Sequence, residues 1–164
     1  MITPQGMGPF RLGEQYDDTW VESLDLEIEQ IEMGDDADDT WLGLKINLGT
    51  DYLLLQLRDE DSAIFEMTAT SSCFELPNGI KPGVLLTDFL EHYGKDIVPE
   101  SEFYDLEFVD PKLKVRFWFD DLMDVGGFYG SDDYEQYLLT RDIQFLEELP
   151  FRTEARLTAI QIAL

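Results

Sequence analysis

Histidine, cysteine and paired carboxylates are the side chains with which a small protein most often does chemistry, and the first two are scarce here. His92 is the single histidine and Cys73 the single cysteine. One imidazole cannot build a His-rich zinc site. His92 lies between Glu91 and Tyr93 on a short predicted helix and reads as a surface residue. A Cys–His pair can act as nucleophile and base. Ser71-Ser72-Cys73-Phe74 carries no such signature, and a lone cysteine reads as a small buried apolar group. Carboxylates number 36, so no particular pair stands out for acid–base work. Asp35-Asp36-Ala37-Asp38-Asp39 invites a calcium reading. An EF-hand loop begun at Asp36, however, puts Trp41 where glycine is required and Asn47 where the closing glutamate belongs. Gly126-Gly127-Phe128-Tyr129-Gly130 lacks the Lys-Ser/Thr ending of a phosphate loop. Its flanks, Asp124 and Asp132-Asp133, would repel a phosphate. The expectation is a protein that is not an enzyme and holds neither metal nor cofactor.

What the chain has in excess is negative charge. Its 36 Asp+Glu stand against 11 Lys+Arg, a formal charge of −25 over 164 residues. Direct nucleic-acid binding needs a basic footprint and is excluded, and an anionic membrane surface is opposed for the same reason. Acidic disordered chains are poor in aromatics, whereas this one is 44% hydrophobic and 13% aromatic, so a folded domain is expected. The length suits a single domain, 1–164. A single cysteine forms no intramolecular disulfide, the N-terminal residues show no basic-then-apolar leader pattern, and no apolar run is long enough to span a bilayer. The expected location is the cytoplasm.

The elements that must carry any site are mostly strands. Residues 41–48 and 52–58 alternate apolar and polar around Gly49-Thr50-Asp51, the pattern of a β-hairpin. Residues 63–70 make a third strand. Residues 103–109 and 112–119 form a second hairpin around Asp110-Pro111, and 156–164 a final strand. Residues 24–33 read as an edge strand with a bulge, or as two short strands. Thr87 is a candidate cap for a helix in which Leu86, Phe89, Leu90 and Tyr93 share a face. Ser131 and Thr140 are candidate caps for two more, and Glu14 to Val21 is a weaker candidate. Pro4-Gln5-Gly6-Met7-Gly8-Pro9 resembles Pro77-Asn78-Gly79-Ile80-Lys81-Pro82, which suggests a pseudo-repeat of 1–76 and 77–164. The expected class is α+β: antiparallel sheets with short helices packed on one face, in two tandem halves.

The acid is unevenly placed. Twelve acidic residues and no basic one lie between Glu14 and Asp39; a second tract spans Glu100 to Glu107 and a third Asp120 to Glu135. Three accounts compete: general solvation, mimicry of DNA before a DNA-binding protein, and binding of a basic protein. Even solvation would spread the charge. The third tract mixes Asp124, Asp132 and Asp133 with Phe128, Tyr129 and Tyr134, combining aromatic anchors with steering charge. It is the first candidate contact surface, and the loop of Asp35, Asp36, Asp38 and Asp39 is the second. In general character the whole chain resembles the immunity proteins of bacterial toxin systems: small, strongly acidic and without catalytic motifs. That resemblance implies occlusion of a cognate toxin domain. Length and repeat are also similar to the β-lactamase-inhibitor protein architecture, whose members are secreted and disulfide-bonded, so only the architecture carries over.

Overall fold

The computed structural model describes residues 1–16, 18–23, 25–36, 39–93, 96–102, 105–120 and 154–164. Three two-residue strands open the chain: β1 (Ile2–Thr3), β2 (Gly6–Met7) and β3 (Phe10–Arg11). A short helix α1 (Asp18–Ser23) leads into β4 (Ile28–Asp36), β5 (Asp39–Leu48), β6 (Asp51–Leu57) and β7 (Ile64–Ala69). A second helix α2 (Leu86–Tyr93) precedes β8 (Val98–Glu102), β9 (Asp105–Asp110), β10 (Val115–Phe119) and β11 (Leu157–Ala163). Strands β4 to β11 form one eight-stranded sheet in the order β4-β5-β6-β7-β11-β10-β9-β8, every pair antiparallel. Each side of the β7–β11 seam therefore holds four strands that a short helix precedes in the chain. In both sets the first strand lies at the sheet edge and the last at the centre.

Local chemistry accounts for the hairpins. Leu48 pairs with Asp51 across the two-residue turn Gly49-Thr50, and Gly49 takes φ +79°, the left-handed first position that a type II′ hairpin turn demands. The carboxylate of Asp110 accepts the backbone N–H groups of Lys112 at 2.9 Å and Leu113 at 3.0 Å, an Asx-type turn that closes β9 onto β10.

One face of the sheet is dry. Leu44, Ile46, Leu53, Leu55, Met67, Phe108, Val115, Phe117, Ile160 and Ile162 form a continuous buried layer. Ile2, Met7 and Phe10 of the N-terminal strands join the same core, as do Phe74, Leu76 and Ile80 from the 74–80 loop. Helix α2 adds Leu86, Phe89 and Tyr93. The Phe89 ring meets those of Phe117, Tyr93, Phe119 and Phe108 at centroid distances of 4.9 to 5.6 Å, a span in which ring pairs attract. Tyr93 keeps its phenol satisfied by accepting a hydrogen bond from Asn78 Nδ2 at 3.1 Å. Burial pushes the Tyr93 phenol up to about 12.

Several expectations shift. The sheets of the expected α+β class are present, whereas helix is a minor component among the described residues. Helix α2 begins at Leu86, so Thr87 lies inside it and does not cap it. The Leu86 N–H bonds instead to Ala155 O at 2.8 Å, so a tertiary contact sets the helix start. Gln15 bridges to Ala63 and Tyr16 N–H bonds Ser62 O, which moves the first helix from Glu14–Val21 to Asp18–Ser23. The candidate helices at Ser131 and Thr140 lie outside the described residues. Cys73 is exposed, not buried.

Candidate functional site

The second face of the sheet differs from the first in kind. Because side chains alternate along a strand, the residues between the core positions all point to this outer face. On β5 they are Trp41, Gly43 and Lys45; on β6, Tyr52, Leu54 and Gln56. Glu66 and Thr68 follow on β7, Gln161 on β11, Arg116 and Trp118 on β10, and Glu107 and Val109 on β9.

The polar members form a row across six strands. Trp41 Nε1–H donates to Gln56 Oε1 at 2.6 Å. The Gln56 amide Nε2 donates in turn to Glu66 Oε1. Glu66 is also hydrogen-bonded by Gln161 and lies in the field of Arg116. Arg116 Nη1 closes the row by donating to Glu107 Oε1. Glu107 is 3% exposed, so its charge is buried, and the guanidinium bonded to it is what makes that burial tolerable. Glu66 is half-buried at the middle of the row. Burial holds its carboxyl above the ordinary range, and its bonds from Gln161 and Gln56 together with Arg116 draw it back only in part.

An apolar patch flanks this row. Trp41 lies opposite Met33 of β4 and meets the Phe65 ring at 6.3 Å, edge to face. Gly43 makes room for the patch: a Cβ there would come within 2.9 Å of both Ile31 Cγ1 and Met33 Cγ and 3.3 Å of Leu54 Cδ1. Ile31, Met33, Trp41, Leu54 and Phe65 are all part-exposed. At the far end of the same strands, Lys45 pairs with Glu29 at 3.7 Å and lies 5.4 Å above the Tyr52 ring.

Two of the three acidic tracts include an edge strand of this sheet, and the third lies outside the described residues but for Asp120. Tract Glu14–Asp39 contains α1 and the edge strand β4, and tract Glu100–Glu107 contains part of the other edge strand, β8, and the start of β9. The register sets acid opposite acid at both edges: Asp36 against Asp39, Glu100 against Glu107 and Glu102 against Asp105. Five of the eight cations among the described residues are engaged in ion pairs: Lys45–Glu29, Arg58–Asp61, Lys81–Glu75, Lys112–Asp96 and Arg116–Glu107.

Of the residues singled out from sequence, Asp35 and Asp36 end β4 and Asp39 starts β5, so this is the tip of an edge hairpin. Asp38 lies outside the described residues, as do Asp124, Phe128, Tyr129, Asp132, Asp133 and Tyr134. The row from Trp41 to Glu107 was not anticipated. Its one sequence signal is the presence of Trp41 at a position where strand alternation calls for a polar residue. His92 is exposed on α2 with its ring against Tyr93. Among the described residues no three His, Cys, Asp or Glu gather as a metal site would require.

No family model matches this sequence, and no curated protein matches it. The fold is similar to a solved structure, the uncharacterized protein yfeY from Escherichia coli, with a TM-score of 0.62, 10% identity and 99% of each chain covered. At that identity the likeness concerns the fold alone. Among the described residues no helix is long and apolar enough to cross a membrane.

Proposed function

We propose that this chain is an acidic cytoplasmic binding protein that neutralises a basic protein partner by covering it, as an immunity protein does with an interbacterial toxin domain. The observation that carries the reading is that the register sets acidic residues at paired positions on both sheet edges, while five of the eight cations among the described residues are held in ion pairs. A few charges suffice to keep an edge strand from pairing with another sheet. Setting acidic residues at paired positions of the register goes beyond that. A cationic surface set against those edges would complement their charge, and the field of −25 would speed its arrival.

The test is capture on the immobilised chain at low salt, elution by salt, and assay of the eluted protein with and without the chain. The expected result is a basic enzyme, released by salt and inactivated at one-to-one stoichiometry. Captured proteins whose activity the chain leaves unchanged overturn the reading. Capture of DNA-binding proteins that duplex DNA displaces would replace it with the DNA-mimic alternative.

A further inference from the structure

The edges explain attraction but not where a partner makes its central contact. A durable interface needs a partly desolvated aromatic centre inside a charged rim. The outer face supplies one between its acidic edges. Trp41 and Phe65 provide ring surface, Leu54, Met33 and Ile31 extend it, and Glu66 lies beside it, linked to Trp41 through the Gln56 amide. Of the two cations on the described part of this face, Lys45 is engaged with Glu29 and Tyr52, and Arg116 bonds Glu107 while its field reaches Glu66. Glu66 is instead hydrogen-bonded by two neutral amides, Gln56 and Gln161.

An aromatic ring and a half-buried carboxylate, held on either side of one amide, complement one side chain better than any other. A guanidinium is planar, stacks on indole, is weakly hydrated and presents a fork of N–H donors to a carboxylate. A lysine ammonium is a compact, strongly hydrated charge and gains less from the ring. We propose that the outer face around Trp41 and Glu66 is the seat for an arginine side chain of the basic partner, its plane against Trp41 and its N–H groups directed at Glu66. This rests on the binding reading above and assigns its centre to the sheet face. The charge complementarity is local as well as global, since the seat adds one carboxylate to a face whose described cations are already paired.

The test is an NMR titration of the isotope-labelled full chain with L-argininamide, and in parallel with L-lysinamide, at constant ionic strength. The expected result is saturable movement of the Trp41 indole N–H and of the Gln56 and Gln161 side-chain amides, with roughly millimolar affinity for argininamide and weaker binding of lysinamide. Glu66→Gln keeps the acceptor for Gln56 but removes the charge, and is expected to weaken argininamide about tenfold. Trp41→Leu is expected to weaken it about fivefold. Preserved spectral dispersion shows that each variant is folded. Should Glu66→Gln prove unfolded, Glu66→Asp, which keeps the charge on a shorter stem, takes its place and is expected to weaken binding by a smaller factor. Equal affinity in the variants, or shifts spread over all acidic residues without saturation, overturns the seat. If argininamide fails while a basic partner is still captured in a salt-sensitive way, the seat falls and the general reading stands. If both fail, both fall.

Discussion

The two faces of the eight-stranded sheet are made by the same strands yet solve opposite problems. On the dry face, Phe89 of α2 reaches Phe108, Phe117 and Phe119, and Leu44, Leu55 and Met67 are almost wholly withdrawn from water. Each such side chain contributes about 1.5–3 kcal/mol through burial alone, and the layer as a whole holds the fold together. On the outer face the residues between them form a hydrogen-bonded row with rings beside it, part-exposed and ending on the buried Glu107 and the part-exposed Arg116 bonded to it. Polar groups are tolerated there because the face is part-exposed, and the one buried charge on it, Glu107, is bonded by Arg116. The difference teaches that one set of strands can hold the fold together on one side and carry a polar network on the other.

Substitutions on each face sharpen the contrast. The largest effect is expected on the dry face: Phe89→Ala removes a fully buried ring with four aromatic neighbours and should cost about 3–5 kcal/mol in chemical denaturation, enough to threaten folding. A loss under about 1 kcal/mol would mean that α2 does not seal the core.

A middle effect belongs to the apolar patch of the outer face. Gly43→Val drives a branched side chain into Ile31, Met33 and Leu54 and should cost about 1–3 kcal/mol by the same measurement. A neutral outcome would show that the patch yields freely and is not a formed surface.

The smallest effect has the opposite sign. Burial raises the Glu66 carboxyl above its unfolded value, against the pull of Gln161, Arg116 and Gln56. The folded state therefore binds that proton more tightly than the unfolded chain, and stability falls as pH rises from the ordinary carboxylate range through the raised value. Glu66→Gln should remove this decline, giving a slightly higher Tm at pH 7 and a flatter dependence of Tm on pH. A lower Tm at pH 7 would show that the ionised carboxylate stabilises the face, contrary to the direction of its shift.

How much of this was legible beforehand differs from strand to strand. The β5–β6 hairpin was readable because its information is local: alternation from Trp41 to Leu48 and a glycine able to take a positive φ. The second hairpin was readable from Asp110-Pro111 and the alternation through Phe119. Strand β8 was not, since Val-Pro-Glu-Ser-Glu has little strand propensity and owes its conformation to pairing with β9 at the sheet edge, where a proline is tolerated. The opening strands were hidden inside what looked like a Gly/Pro turn. They form because Ile2, Met7 and Phe10 bury themselves in the main core. The first choice of contact surface, around Asp132 and Asp133, lies outside the described residues. The second, Asp35 to Asp39, is placed at an edge-hairpin tip.

For the strands it revealed, the sequence by itself determined which residues face inward, since alternation is a period-two property of each strand. It also determined the net charge and its uneven distribution. Only the tertiary structure decided that β7 joins β11 and so puts Glu66 beside Gln161, with Arg116 one strand further on. Those side chains come from distant parts of the chain, and nothing in the local pattern of either segment specifies the strand it will meet. The order and register of the strands follow from burying all the apolar rows on one side at once, and the outer row is set by that same register.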